Sequence, residues 1–96
     1  MITTKQRAKL RGMANTMEVI LYVGKEGVTP MVIAQAGDAL KARELIKGTV
    51  QQEAPVDARE AAQALCAALD ADPVQVIGRR FVLYKRNEED PRISLD

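Results

Sequence analysis

Apolar residues recur along this 96-residue chain with two different periods, and the change from one period to the other predicts its elements. Helical spacing is found at about residues 3–15, 29–43 and 57–71. Short apolar runs predict strands at residues 19–23, 44–50, 73–77 and 80–86. Each helical segment begins at a residue that can cap a helix: Thr3 or Thr4, Thr29 and Asp57. The predicted order is helix, strand, helix, strand, helix, strand, strand.

This order of elements predicts a two-layer α/β domain with a mixed four-stranded sheet. Two strand–helix–strand units imply right-handed crossovers and parallel pairing. Gly78-Arg79 suits a two-residue turn that makes the last two strands an antiparallel hairpin. The continuous apolar run 19–23 predicts a central strand covered on both faces. Its Tyr22 is expected in the core with the hydroxyl at an edge, although it could also stack on a base.

The motif Gly24-Lys25-Glu26-Gly27 joins the first predicted strand to the second predicted helix. Glycines at both ends allow a tight turn and a close approach of the backbone to a ligand. The helix behind the turn, capped by Thr29 with Pro30 at its first position, presents unpaired N–H groups and the positive end of its dipole. This arrangement suits a phosphate group, as in the GXXG loop of KH-like RNA-binding modules. An ordinary strand-to-helix turn would show the same spacing.

The net charge of +1 conceals a strong segregation of charge along the chain. The net charge is +4 over residues 1–47, −4 over 48–78, +4 over 79–86 and −3 over 87–96. Four cations of the first block share the first predicted helix: Lys5, Arg7, Lys9 and Arg11. Like charges one turn apart repel, so this helix is suited to facing an anion, although a solvated basic helix would look the same. Arg79 and Arg80 place two more cations at the tip of the predicted hairpin.

The composition excludes several classes of function and supports one domain over residues 1–96. The core is expected at about 3–86, and 87–96 is expected to be an extended or loose tail. Without histidine and with Cys66 as the single cysteine, the chain can form neither a tetrahedral zinc site nor an internal disulfide. We expect no catalytic site, metal or cofactor, since no nucleophile motif or inward carboxylate pair is evident. No apolar run approaches the ~20 residues of a membrane span, and a cytoplasmic protein is expected.

Several short motifs, in this order and spacing, resemble a known family. They are Thr4–Arg7 with Leu10–Arg11, Gly24–Gly27 with Thr29, Ala39–Leu40 with Glu44–Lys47, and Val74–Arg79 with Val82–Tyr84. Together they resemble the CRM domain (chloroplast RNA splicing and ribosome maturation), whose bacterial single-domain members are called YhbY. The resemblance runs nearly from end to end. It implies a fold like the C-terminal domain of translation initiation factor three.

The resemblance also implies that the partner is RNA, bound without catalysis, and that a bacterial member acts on ribosomal RNA in precursor large ribosomal subunits. The RNA contacts expected from the resemblance and the charge pattern are Gly24, Lys25, Glu26, Gly27, Lys5, Arg7, Lys9, Arg11, Arg79 and Arg80. Glu26 stands where members of the family often carry a glycine or a small polar residue, and a carboxylate there opposes a phosphate. The alternative is an α/β interaction domain whose basic face docks an acidic protein partner.

Overall fold

The computed structural model describes residues 2–95. Its elements are α1 (Thr4–Ala14), β1 (Leu21–Val23), α2 (Pro30–Arg43), β2 (Leu45–Val50), α3 (Ala58–Leu69), β3 (Asp72–Ile77) and β4 (Arg80–Tyr84). The α/β class, the mixed four-stranded sheet and the order of elements are as predicted. No helix within these residues is long and apolar enough to cross a membrane.

The predicted cap residues begin all three helices. The Thr3 hydroxyl accepts from the Gln6 backbone N–H at 3.1 Å, and Asp57 accepts in the same way from Glu60 at 2.8 Å. In both pairs the third helical residue returns a bond to the cap, so each forms a capping box. Thr29 accepts from the Val32 N–H at 3.2 Å. Each helix start is therefore marked by a hydrogen bond between residues three apart in the chain.

The strands lie in the order β1-β2-β4-β3. β1 pairs in parallel with β2, while β4 pairs antiparallel with both β2 and β3. The second strand–helix–strand unit therefore lacks the direct parallel pairing that was predicted, because β4 lies between β2 and β3. The prediction of a central first strand is also wrong: β1 is an edge strand, and Tyr22 is 55% exposed instead of lying in the core. Only Leu21 and Val23 of the apolar run are buried in the strand, both on one face. Val19 and Ile20 precede the strand, so the run is longer than the strand itself.

Helices cover both faces of the sheet. One face packs against α2 and α3 through a core that includes Ile46, Phe81 and Leu83. The other face packs against α1, where Leu10 and Ala14 of the helix contact a cluster of strand residues. This cluster includes Leu45, Val82 and Tyr84. The sequence predicted two layers; α1 supplies a third because Leu45, Val82 and Tyr84 form a second apolar cluster on the opposite face of β2 and β4.

The tail beyond β4 is extended and is held by one buried carboxylate. Glu44, which is 0% exposed, ends α2 with φ at 65°. Its Oε2 accepts from the Asn87 backbone N–H at 2.8 Å, and its Oε1 accepts from Arg92 and Ile93 at 2.6 and 2.7 Å. Ile93 and Leu95 then pack against the core under α1. Neither helix nor strand forms in residues 85–95, so side-chain contacts hold the tail, and Glu44 alone accepts three of its backbone N–H groups.

Candidate nucleic-acid interface

The Gly24–Gly27 loop is a tight turn between β1 and α2. The Gly27 N–H donates to the Gly24 carbonyl at 2.9 Å, and the exposed Lys25 and Glu26 form the tip. Gly27 has φ at +75°, and a Cβ placed on it would lie 3.2 Å from Cγ of Pro55. Both the backbone conformation and the close neighbour therefore require glycine at this position.

The loop rests on the segment that follows β2. The Gln51 N–H donates to the Val23 carbonyl at 2.8 Å, which continues the pairing of β1 with β2. A Cβ on Gly24 would lie 3.0 Å from the Gln51 side-chain oxygen. The loop, the first turn of α2 and Gln51 together line an open depression. Its wall includes the N-terminus of α2, where the positive end of the helix dipole favours an anion, although Pro30 has no N–H and the Val32 N–H is bonded to Thr29.

The turn of the β3–β4 hairpin lies at the same end of the strands as this loop. Gly78, with φ at +58°, and Arg79 form the two-residue turn predicted from the sequence, and Ile77 pairs with Arg80 across it. The Val50 N–H at the end of β2 donates to the Arg79 carbonyl at 2.8 Å. Val50 also pairs with Val23, the residue just before the loop. Arg79 and the loop therefore lie at the same end of the strands. We define the basic edge as Gly24–Gly27 together with Arg79.

The cations of α1 are not gathered at the basic edge. Arg7 Nε donates to the Pro73 carbonyl at 3.2 Å, at the start of β3, and Lys9 Nζ donates to the Ser94 carbonyl in the tail. Pro73 is separated from Ile77, beside the hairpin, by about 13 Å of strand. Lys5 lies still nearer the start of α1. Arg11, in the last turn, is the member of this group that lies closest to the basic edge along the helix.

The predicted RNA-contacting cations carry charges that no protein carboxylate neutralises within residues 2–95. Ion pairs in this part of the chain join Arg86 to Glu88 at 3.7 Å and Arg92 to Asp90 at 3.4 Å. Both pairs lie in the tail segment, outside the predicted contacts. The charges of these cations are therefore available to an external anion, while Arg7 and Lys9 already donate one hydrogen bond each to a backbone carbonyl. Among the same described residues, no cluster of His, Cys, Asp and Glu side chains could hold a metal ion.

Lys47 has a structural role that its sequence position did not reveal. Its Nζ donates to the Ala14 carbonyl at 3.1 Å and to the Met17 carbonyl at 3.5 Å, just beyond the end of α1. A cation at this position satisfies end carbonyls and opposes the negative end of the helix dipole. Lys47 therefore fixes where α1 ends over the sheet.

Tyr22 is the exposed residue that sequence reasoning placed wrongly. Its ring lies on the α1 side of the sheet, and its hydroxyl donates to the Val19 carbonyl at 3.4 Å. The Tyr22 hydroxyl is the one polar side-chain group in an otherwise aliphatic run, and this could have indicated that Tyr22 faces water.

Comparisons with known proteins identify one family model and several relatives. The model of the CRS1 / YhbY (CRM) domain matches residues 2–85. A Bacillus subtilis protein named probable RNA-binding protein YqeI is 42% identical over 95 residues, which is 99% of this chain and 99% of that protein. An RNA-binding protein of Haemophilus influenzae is 37% identical over 92 residues, which is 92% of this chain and 89% of that protein.

A solved structure has the same fold. The solution structure of the hypothetical protein SAV1595 of Staphylococcus aureus, described as a candidate RNA-binding protein, superposes with a TM-score of 0.76. It is 40% identical in sequence, and the match covers 93% of this chain and 96% of that one.

Proposed function

The chain belongs to the CRS1/YhbY (CRM) domain family, and on this basis we propose that it is a non-catalytic RNA-binding protein. Its RNA is the ribosomal RNA of precursor large ribosomal subunits, and its role is in their assembly. The relatives named above as RNA-binding proteins support RNA as the partner. The observation that carries the proposal is the basic edge, where Lys25 and Arg79 lie at the same end of the strands. The N-terminus of α2 lies beside the loop.

Binding at this edge is led by phosphate contacts. The glycine turn allows a close approach of the RNA backbone to the loop, and Lys25 and Arg79 supply charges that the described carboxylates leave free. Release of counterions from the RNA makes such binding strongly dependent on salt. Arg11 and Arg80 extend the positive surface beyond the edge, whereas Lys5, Arg7 and Lys9 serve a more distant part of a long RNA.

Replacement of Lys25 by alanine is expected to weaken binding to structured RNA by about three- to tenfold and to lower the slope of log affinity against log salt by about one. Lys41→Ala is the matched control, since it removes the same charge at the far end of α2. Glu26→Gln, which removes a negative charge from the tip, is expected to leave binding equal or tighter. Fluorescence anisotropy at several salt concentrations measures all three. Equal losses for Lys25→Ala and Lys41→Ala would contradict a specific role for the loop.

The assembly role is tested by sedimentation of a lysate of the native cells on sucrose gradients at low and high salt, with this protein followed by immunoblot. Co-migration with precursors of the large subunit at low salt, lost at high salt, is expected from phosphate-led binding. A protein that stays at the top of the gradient at both salt concentrations would contradict the assembly role. A pull-down with and without nuclease then separates RNA from an acidic protein partner.

A further inference from the structure

A row of side chains crosses all four strands on the α1 side of the sheet. Tyr22 pairs with Thr49, Thr49 with Arg80, and Arg80 with Ile77. Directly paired residues point to the same face, so these side chains form one line about 14 Å long. We define the open row as Tyr22, Thr49, Arg80 and Ile77.

The open row is uncovered because α1 ends before reaching it. Val82, one row nearer the start of α1, is buried, and Lys47 in that row bonds to the carbonyls at the end of the helix. In the open row, Tyr22 is 55% exposed and Ile77 is 63% exposed. A large aromatic ring and an aliphatic side chain therefore face outward at the two ends of the row, with the Arg80 guanidinium between them.

The chemistry of the open row fits an unpaired nucleotide better than an apolar protein surface. An aromatic ring on an exposed sheet face offers a surface on which a base stacks, and arginine adds both charge and a planar stacking group. The carboxamides of Asn15 and Gln75 line a recess beside Arg80 and Ile77, where they can reach base edges. The row itself contains a cation and no acid.

The open row is also continuous with the basic edge. Tyr22 precedes Gly24 by two residues, or about 7 Å along the strand, and Arg80 follows Arg79 directly. An RNA strand whose phosphate lies at the Gly24–Gly27 loop can therefore place a neighbouring base on the sheet.

We propose that the open row binds an unpaired base of the RNA by stacking on Tyr22, so that the domain recognises single-stranded segments as well as the RNA backbone. This inference rests on the proposed function, since it assigns a second contact to the same RNA. It adds base contact to the recognition, whereas the basic edge alone would bind through phosphates.

The test compares a single-stranded decauridylate with an RNA duplex of the same charge. Tyr22→Thr, which keeps a β-branched residue in the strand, is expected to weaken decauridylate binding by about fivefold or more and duplex binding by less than twofold. Tyr22→Phe is the conservative control and should bind both RNAs within twofold of the native protein. Tyrosine emission gives a direct signal, since the chain has two tyrosines and no tryptophan, and Tyr84 is only 4% exposed. Quenching by decauridylate should disappear in Tyr22→Phe.

The outcomes separate this inference from the proposed function. If the native protein binds neither RNA, both fail. If it binds RNA but Tyr22→Thr changes neither affinity, or lowers both equally, base stacking is wrong while RNA binding stands. If Tyr22→Thr does not fold, the native protein is tested against an abasic decamer with the same phosphates. Equal affinity for the abasic decamer and decauridylate would overturn the inference, and a loss of about fivefold or more would support it.

Discussion

Substitution of Glu44 by alanine is expected to lower the free energy of unfolding by about 2–4 kcal/mol. The carboxylate is fully buried and accepts three backbone N–H bonds, from Asn87, Arg92 and Ile93. Without it these donors have no acceptor, and they regain partners in water only if the tail leaves the surface. That movement would expose the apolar contacts of Ile93 and Leu95 with the core under α1.

Urea denaturation followed by circular dichroism measures this loss, and Glu89→Ala is its matched control. Glu89 is an exposed glutamate in the same tail, so its removal should change stability by less than about 0.5 kcal/mol. Glu44→Gln keeps one acceptor oxygen and should fall between the two. Hydrogen exchange at the Arg92 and Ile93 amides should speed up in Glu44→Ala. A stability of Glu44→Ala equal to that of Glu89→Ala would show that the tail does not depend on this carboxylate.

The same carboxylate gives the stability a defined pH dependence. Burial acts to raise the pKa of Glu44, but the three N–H donors and the nearby Arg86 charge outweigh it and hold the pKa below its ordinary value of 4.5. The folded state therefore binds the proton less readily than the unfolded state, so Glu44 contributes stability above pH 4.5. This contribution is lost as pH falls through the lowered pKa. The stability difference between the native protein and Glu44→Gln should shrink in that range.

The features predicted correctly from the sequence are those set by residues close together in the chain. Thr3, Thr29 and Asp57 begin the helices because a cap needs only a side chain and an N–H three residues away. Gly78-Arg79 forms the hairpin turn for the same reason. The Gly24–Gly27 loop likewise has its predicted shape, since its closing bond joins its own first and last residues.

The features that were missed depend on residues far apart in the chain. Strand order is decided by packing, and nothing local to residues 19–23 shows that β1 lies at an edge. The hydrogen-bond partners of Glu44 lie 43 to 49 residues further along the chain. The residues next to Glu44 therefore gave no indication that its carboxylate is buried. For the candidate site, the loop was predictable and the placement of the α1 cations was not. Arg7 reaches a carbonyl at the start of β3 and Lys9 one in the tail, which depends on how α1 lies across the sheet.

Gly48 is the position where a single added methyl group is expected to destabilise the core most. It lies directly opposite Phe81 in the β2–β4 pair, and a Cβ on it would lie 2.4 Å from Cζ and 2.6 Å from Cε1 of that ring. Phe81 is 0% exposed and packed on every side, so the ring cannot move away without displacing its neighbours. Gly48→Ala is therefore expected to lower the free energy of unfolding by about 3 kcal/mol.

Gly12→Ala is the matched control for Gly48→Ala, because a Cβ at Gly12 in α1 would have nothing within 4 Å. The same chemical change there should stabilise the domain by about 0.5–1 kcal/mol, since alanine favours a helix over glycine. The cause of the Gly48 effect is tested by Phe81→Leu, which makes room opposite residue 48. If the clash is responsible, the double variant should be more stable than the sum of the two single losses predicts. Additive losses would instead show that Gly48 is needed for its backbone and not for the space that the Phe81 ring occupies.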